Sequence, residues 1–336
     1  MSYLLSAMWE RTPVLTIEGV KELRNIRSGD RIWNGVKYVK VESVVFGKSD
    51  GYAVNTGKGN VIKCSAETKF FSDGENVEAK NITGGVAVDN IELYPFTGLD
   101  PVSDVSKESE INLNDSFVFL YGLWCACGFL YEEKSVFKFH KITDSSYQLM
   151  EAAMKNLGYQ LENTAVNEYL VPEELKEKFD KIQGSKRKAS ICIYHLVKNE
   201  VFIIFFYGFL SGRGYIKVLD DNTFNVHFST NNEKIVYGIQ FELYKRFGMR
   251  MSVRLSENSR HQKVFKCTII GGDKIFNNMP ELLNLFDVKE KSNLVPQEEY
   301  ALSKASIVKP LRFLKNVSLE LSEETSVPVY GYIKIK

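Results

Sequence analysis

With 336 residues, 44% of them apolar and 12% aromatic, the chain is long enough to bury the cores of two ordinary domains. Its longest apolar run, VFIIFFYGFL at 201–210, is about half of what a bilayer needs, and no basic region precedes a long apolar segment at the amino terminus. These features exclude a membrane partner and lead us to expect a cytoplasmic protein. Five cysteines (Cys64, Cys125, Cys127, Cys192, Cys267) argue against a disulfide framework. His140, His195, His227 and His261 supply no paired ligand spacing, so no metal site is expected from composition.

The formal charge of +1 hides an asymmetry: residues 186–266 hold 14 Lys/Arg against 6 Asp/Glu. Such a stretch can attract phosphate. It can equally be a solvated surface balanced in space by the acidic run PEELKEKFD.

In chain order, residues 12–100 read as short strands broken by turns: TPVLTIEG, GDRIWNG, KYVKVESVVFG, GYAVNTGKGNVIKCS, TKFFSDGENVEA and GGVAVDNIELYPF. From about 115 the period becomes helical. Asp115 caps a helix running to Cys127, SVFKFHKI alternates as a strand, and Thr143 or Asp144 opens a helix that Gly158 closes. The order then returns: VFIIFFYGFLSG as helix, FNVHFS as strand, and NNEKIVYGIQFELYKRFG as a helix closed by Gly248. A charged helix, PEELKEKFDKIQGSKRK, lies between the copies. After about 300 the chain is β again, with VSLELSEETSVPVYGYIKIK.

Residues 115–290 therefore read as two copies of one αββα unit inserted in a β module. In each copy small residues fall at helical spacing, Gly122 with Cys125 and Ala126, and Gly208 with Ser211 and Gly212. Such residues let two helices meet at backbone distance, which predicts a pseudo-dyad.

These segments resemble the paired LAGLIDADG motifs of homing endonucleases, in which each helix ends in an acidic residue and flanking strands form a saddle over the DNA major groove. VHFSTNNEKIVYGIQFELYKRFGM and KCTIIGGDKIFNNMPELL extend the likeness over roughly 112–300. TPVLTIEGVKELRNIRSGDRI, VIKCSAETKFFSDGENVEAKNITGG and VPVYGYIKI resemble, in order, the first, second and closing blocks of an intein (Hint) domain. The implied fold is α+β: an all-β Hint-like horseshoe (1–111 and 302–336) interrupted by a pseudo-two-fold endonuclease-like domain (112–301, halves about 112–180 and 190–301).

The resemblance implies catalytic positions, and the chain departs from them. The first intein residue falls at Ala7, which has no nucleophile. Ser65 stands at a threonine position of the second block and Thr68 at its histidine position, where a hydroxyl is a poor proton shuttle at neutral pH. The chain stops at Lys336, before the His-Asn pair that closes the family, so either the product is truncated or a separate carboxy-terminal fragment acts as partner and supplies that end. In the endonuclease the acidic positions are Cys127 and Arg213. The family uses magnesium, which takes hard oxygen ligands, and neither side chain offers one. Glu132, Glu133, Asp220 and Asp221 are the nearest carboxylates in sequence.

The expected function is thus an intein-derived LAGLIDADG relative, a monomer that binds double-stranded DNA while splicing and cleavage are impaired, with no cofactor. Its expected phosphate contacts are Lys138, Lys186, Arg187, Lys188, Lys217, His227, Arg250, Arg254, Lys263 and Lys266. The alternative is a domesticated, non-catalytic interaction or scaffold protein on the same fold.

Overall fold

The computed structural model describes residues 3–55, 61–72, 75–82, 86–88, 114–131, 134–183, 199–218, 223–257, 262–270, 279, 285, 295–296, 303–325, 327–329 and 333–335. Among them the fold is α+β, with helices and several antiparallel sheets. Contacts divide the chain into two compact units. Unit 1 comprises Met1–Phe96, Tyr237–Arg254 and Glu299–Lys336, and unit 2 comprises Thr97–Val236 and Leu255–Glu298.

The strands before the helical region are β1 (Tyr3–Trp9), β2 (Pro13–Thr16), β3 (Gly19–Glu22), β4 (Arg31–Trp33), β5 (Tyr38–Asn55), β6 (Val61–Ser65), β7 (Lys69–Ser72), β8 (Glu75–Glu78) and β9 (Val86–Val88). Then follow α1 (Asp115–Cys127), β10 (Gly128–Leu130), β11 (Ser135–Lys138), α2 (Asp144–Asn156), β12 (Asn163–Ala165), β13 (Glu168–Leu170) and α3 (Glu173–Gln183). The second series is α4 (Asn199–Arg213), β14 (Gly214–Val218), β15 (Thr223–Thr230), α5 (Glu233–Phe247), β16 (Arg250–Glu257), β17 (Lys263–Ile270) and β18 (Val295–Pro296). The chain closes with β19 (Ser303–Leu321), β20 (Val327–Val329) and β21 (Ile333–Ile335).

Unit 1 is built on one sheet in the order β3-β2-β4-β5-β6-β1-β19-β9, with β5 and β19 also paired, and on a small sheet β20-β21-β7-β8. Alternating strands place Leu5, Met8, Val41, Ile62, Phe70, Val317, Leu319 and Ile335 in one apolar core. Tyr244 of α5 belongs to the same core, which explains why Tyr237–Arg254 groups with the strands. Lys245 Nζ sits 4.7 Å from the Trp33 ring centroid. Arg246 Nε reaches Glu242 Oε2 at 2.5 Å, and both side chains are shielded from water. Burial raises the Glu242 carboxyl, but Arg246 and Lys245 outweigh it and hold the group below its ordinary range.

The chain from Asp115 repeats the order helix, strand, strand, helix: α1-β10-β11-α2, then α4-β14-β15-α5, of which all but most of α5 belongs to unit 2. The first copy has the sheet β10-β11-β13-β12; in the second, β15 pairs with β14 and β17 antiparallel and with β18 in parallel. Two local expectations change. The α1 cap is Asn114, whose side chain accepts from Phe117 N at 2.8 Å, because a cap must precede the first helical residue and Asp115 is already helical. SVFKFHKI is strand only over Ser135–Lys138, since Thr143 turns the chain into α2 by accepting from Ser146 N. Gly158 (φ 82°) and Gly248 (φ 64°) take the left-handed conformation that stops their helices. Of the charged linker helix, α3 is described; Lys186, Arg187 and Lys188 lie outside the described residues.

Candidate nucleic-acid interface

Helix α1 is apolar around its whole circumference, and every residue from Phe117 to Cys127 is buried. It meets α4 at backbone distance. A Cβ on Gly122 would lie 2.0 Å from Phe205 O, and one on Gly208 would lie 2.0 Å from Phe119 O. Each glycine therefore receives the carbonyl of the residue three positions before its counterpart, a reciprocal contact of the kind a two-fold axis produces. Any side chain at either position would push the helices apart.

Five residues beyond each seam glycine stand Cys127 and Arg213. Burial pushes the Cys127 thiol up to about 12, although Arg213 pulls it down, so the thiol stays protonated at neutral pH. Arg213 Nε donates to Ala126 O at 2.8 Å. A protonated thiol beside a guanidinium does not fit magnesium, and among the described residues no three His, Cys, Asp or Glu side chains converge on a metal position. Glu132, Glu133, Asp220 and Asp221 lie outside the described residues.

Arg213 instead lines a cavity of about 610 Å³ with His140, Lys141, Asp144 and Tyr215. The cavity is continuous with the outer face of the second sheet, where Tyr215 pairs with His227, Lys217 with Asn225, His227 with Thr268 and Ser229 with Lys266. The opposite face carries Phe224, Val226, Phe228, Phe265, Cys267 and Ile269, all buried. Alternation thus sorts the sequence into an apolar inner face and a polar, aromatic outer one.

On that outer face Tyr215 stacks on His227 (centroids 5.3 Å apart, 15° between planes), and His227 Nδ1 meets Thr268 Oγ1 at 3.0 Å. Half-burial, with the nearby Lys217 charge, lowers the His227 pKa, so the ring is neutral at physiological pH. Lys217 and Lys266 are exposed and make no ion pair among the described residues. Such an array offers phosphate contacts from the lysines and hydrogen bonding or stacking from Tyr215 and His227.

Other expected contacts fall elsewhere. Lys138 is exposed but forms an ion pair with Glu168, and Tyr131 OH bonds to both, raising the Lys138 pKa through Glu168 first. Lys263 is exposed, yet shares the parity of Phe265 and so points away from the Lys266 face. Arg250 is 4% exposed, a core residue of unit 1 and not a surface contact, because it starts β16 beneath α5, where Met249 and Met251 are also buried. Arg254 is exposed on β16 in unit 1. Tyr215, Thr268 and Tyr131 were not singled out from sequence; the period-two alternation of GYIKV and KVFKCTII was the available signal.

Ala7, Ser65 and Thr68, the positions expected to serve splicing, come together in unit 1. β1 is bulged between Leu5 and Met8, opposite Leu319 and Val317, and the bulge falls at Ser6 and Ala7. Thr68 Oγ1 donates to Ala7 O at 2.8 Å, and Ser65 Oγ lies 3.1 Å from Thr68 Oγ1. Because Thr68 spends its proton on a carbonyl, Ser65 must be the donor to Thr68, giving a one-way relay Ser65 to Thr68 to Ala7. Thr68 is fully buried and Ser65 nearly so. The relay polarises the carbonyl of the Ala7–Met8 peptide, one peptide past the bond joining Ser6 to Ala7, and contains no base that takes up a proton near neutral pH.

No protein-family model and no curated protein sequence matches the chain. Among solved structures, the gp41-1 intein is similar over 25% of this chain and 68% of its own, with 26% identity and a TM-score of 0.24. The N-terminal LAGLIDADG domain of DUF199/WhiA is similar over 60% of this chain and 97% of its own (12% identity, TM-score 0.35). Mesophilic variants of the homing endonuclease I-DmoI are similar over 54% of this chain and 97% of theirs (15% identity, TM-score 0.37). All three are partial likenesses.

Proposed function

We propose that this chain is an intein-derived LAGLIDADG relative, a monomer that binds double-stranded DNA through unit 2 and neither cuts it nor splices efficiently, on a Hint-like β unit. The observation that carries this reading is the reciprocal Gly122–Phe205 and Gly208–Phe119 seam ending in Cys127 and Arg213: the pairing of halves is kept while the ends hold no carboxylate. Phosphate binding needs cations and no metal acids, and Arg213, Lys217 and Lys266 are exposed beside Tyr215 and His227. In unit 1, Ala7 lacks a nucleophilic atom and the Ser65–Thr68 relay lacks a proton acceptor, which supports loss of self-excision.

The test is a titration of duplex DNA against salt with a parallel incubation in magnesium. With three cations neutralising phosphates, log K is expected to fall against log salt with a slope of about −3, and the duplex stays intact. Salt-independent or absent binding defeats the reading. That outcome would favour a non-catalytic interaction scaffold, a reading to which the Lys138–Glu168 ion pair and the burial of Arg250 already lend weight, since the first neutralises a surface cation and the second takes one out of the surface.

A further inference from the structure

Unit 1 carries a cationic and aromatic strip that the reading above leaves unused. It lies on the long β5–β19 ribbon. β4 pairs with β5 up to Lys40 and β6 from Gly51 onward, while β9 leaves β19 after Ala305 and β1 joins it from Asn316. Between those limits only residues 48–50 and 312–314 lack a third strand beside them among the described residues; residues 44–47 face Asn316–Leu319, which β1 also pairs. The sheet narrows there to two strands around the bulge, with β1 and β6 resuming on either side and Glu10 N donating to Lys315 O at 3.1 Å.

Its side chains are unusual for a strand pair. Lys48 and Lys315 are direct cross-strand partners, both exposed, and neither makes an ion pair among the described residues. Like charges placed opposite each other destabilise a strand pair unless an anion lies against them. Arg312 adds a third exposed cation without an ion pair. Two residues with carboxylates are bonded to the strip: Glu10, whose main-chain N donates to Lys315 O at 3.1 Å, and Asp50, whose Oδ1 accepts from Phe313 N at 3.3 Å. Phe313 itself stands at a bulge between Leu311 and Leu314, with φ 54° and 81% exposure. A bulky side chain rarely adopts that backbone, and here the strained conformation serves to hold an aromatic ring in water. Phe46, two residues before Lys48, is also exposed.

We propose that this ribbon is a second contact for duplex DNA, in which Lys48, Arg312 and Lys315 neutralise backbone phosphates while Phe313 inserts between base steps and bends the duplex. The three cations complement a polyanion, and a single apolar side chain held out on a bulge is the form of an intercalating wedge. The inference rests on the proposal that the chain binds duplex DNA and adds a contact in unit 1 to the one in unit 2.

The experiment uses the full chain and a 30-base-pair duplex carrying a fluorescence donor and acceptor at its ends, read by anisotropy for binding and by energy transfer for bending. The wild type is expected to bind and to shorten the end-to-end distance. Phe313→Gly keeps the backbone conformation without strain; it is expected to abolish the shortening and to weaken binding by about 5- to 10-fold. Lys48→Gln with Lys315→Gln should reduce the salt slope by about 2. Lys217→Gln with Lys266→Gln should weaken binding and leave the bend in place. Unbent DNA in the wild-type complex, or a Phe313→Gly complex bent as before, overturns the inference while leaving duplex binding by unit 2 intact. Phe313-dependent binding to phosphatidylserine vesicles without duplex bending overturns it in favour of a membrane surface. No binding of the duplex by the wild type defeats both proposals at once.

Discussion

Arg213 Nε donates to the Ala126 carbonyl oxygen at 2.8 Å, so the last turn of α4 satisfies an orphan acceptor in the last turn of α1. The bond fixes the guanidinium at the mouth of the cavity shared with His140 and Lys141. Arg213→Met keeps the stem and removes the bond and the charge. Duplex affinity is expected to drop about 5-fold and the salt slope to lose about one unit, measured by filter binding at several salt concentrations.

The helix seam predicts a sharp contrast among glycines. Gly122→Ala and Gly208→Ala each place a methyl carbon against a main-chain oxygen and are expected to cost about 3 kcal/mol or more. Gly158→Ala meets nothing within 4 Å and pays only for its φ of 82°, about 1 kcal/mol. Chemical denaturation followed by tryptophan fluorescence separates crowding from backbone strain.

Glu242→Leu leaves the Arg246 guanidinium without its carboxylate in a site closed to water, and stability is expected to fall by about 3–5 kcal/mol. Replacing both residues together with apolar ones of similar size removes most of that loss. Urea midpoints for the single and double variants decide the matter.

For His227, folding lowers the imidazole pKa, so the unfolded chain holds more protons once the pH drops to the ordinary imidazole range. The stability the ring contributes is present above that range and is lost as pH falls through it. The melting temperature is expected to decline between about pH 7.5 and pH 5, and His227→Gln should flatten that part of the profile. An unchanged profile in the variant would place the titration elsewhere.

Thr68→Val removes the donor to Ala7 O and the acceptor for Ser65 within a buried cluster. The expected loss is about 1–3 kcal/mol, with Thr68→Ser recovering most of it. If Val were neutral at this position, the relay would be no more than coincident hydroxyls.

Much of this was readable from residues. Period-two runs such as KVFKCTII announce strands, and the small residues spaced around Gly122 and Gly208 announce a close helix pair, because both signals depend on local geometry alone. What escaped was set by partners far along the chain. Nothing near Arg250 in sequence tells that it is buried; nothing near Lys138 tells that Glu168, 30 residues on, neutralises it. The wedge-like exposure of Phe313 depends on a register shift against β5, some 260 residues earlier, and its sequence neighbours PLRFLKN look like any strand. Lys263 and Lys266 look equivalent as charges, and only strand parity assigns them to opposite faces.

The pairing of β1 and β5 with β19 also governs how the protein is made. Tyr3 must find Leu321 and Val44 must find Leu319, so the central sheet of unit 1 waits on residues made about 300 positions later. Until β19 is made, the edges of β1 and β5 that it will pair stay open, a hazard for edge-to-edge association that grows when translation slows. A stalled nascent chain ending near residue 300 is accordingly a substrate for chaperones through β1 and β5, while the α1–α4 seam, closed since residue 213 emerged, is already shut.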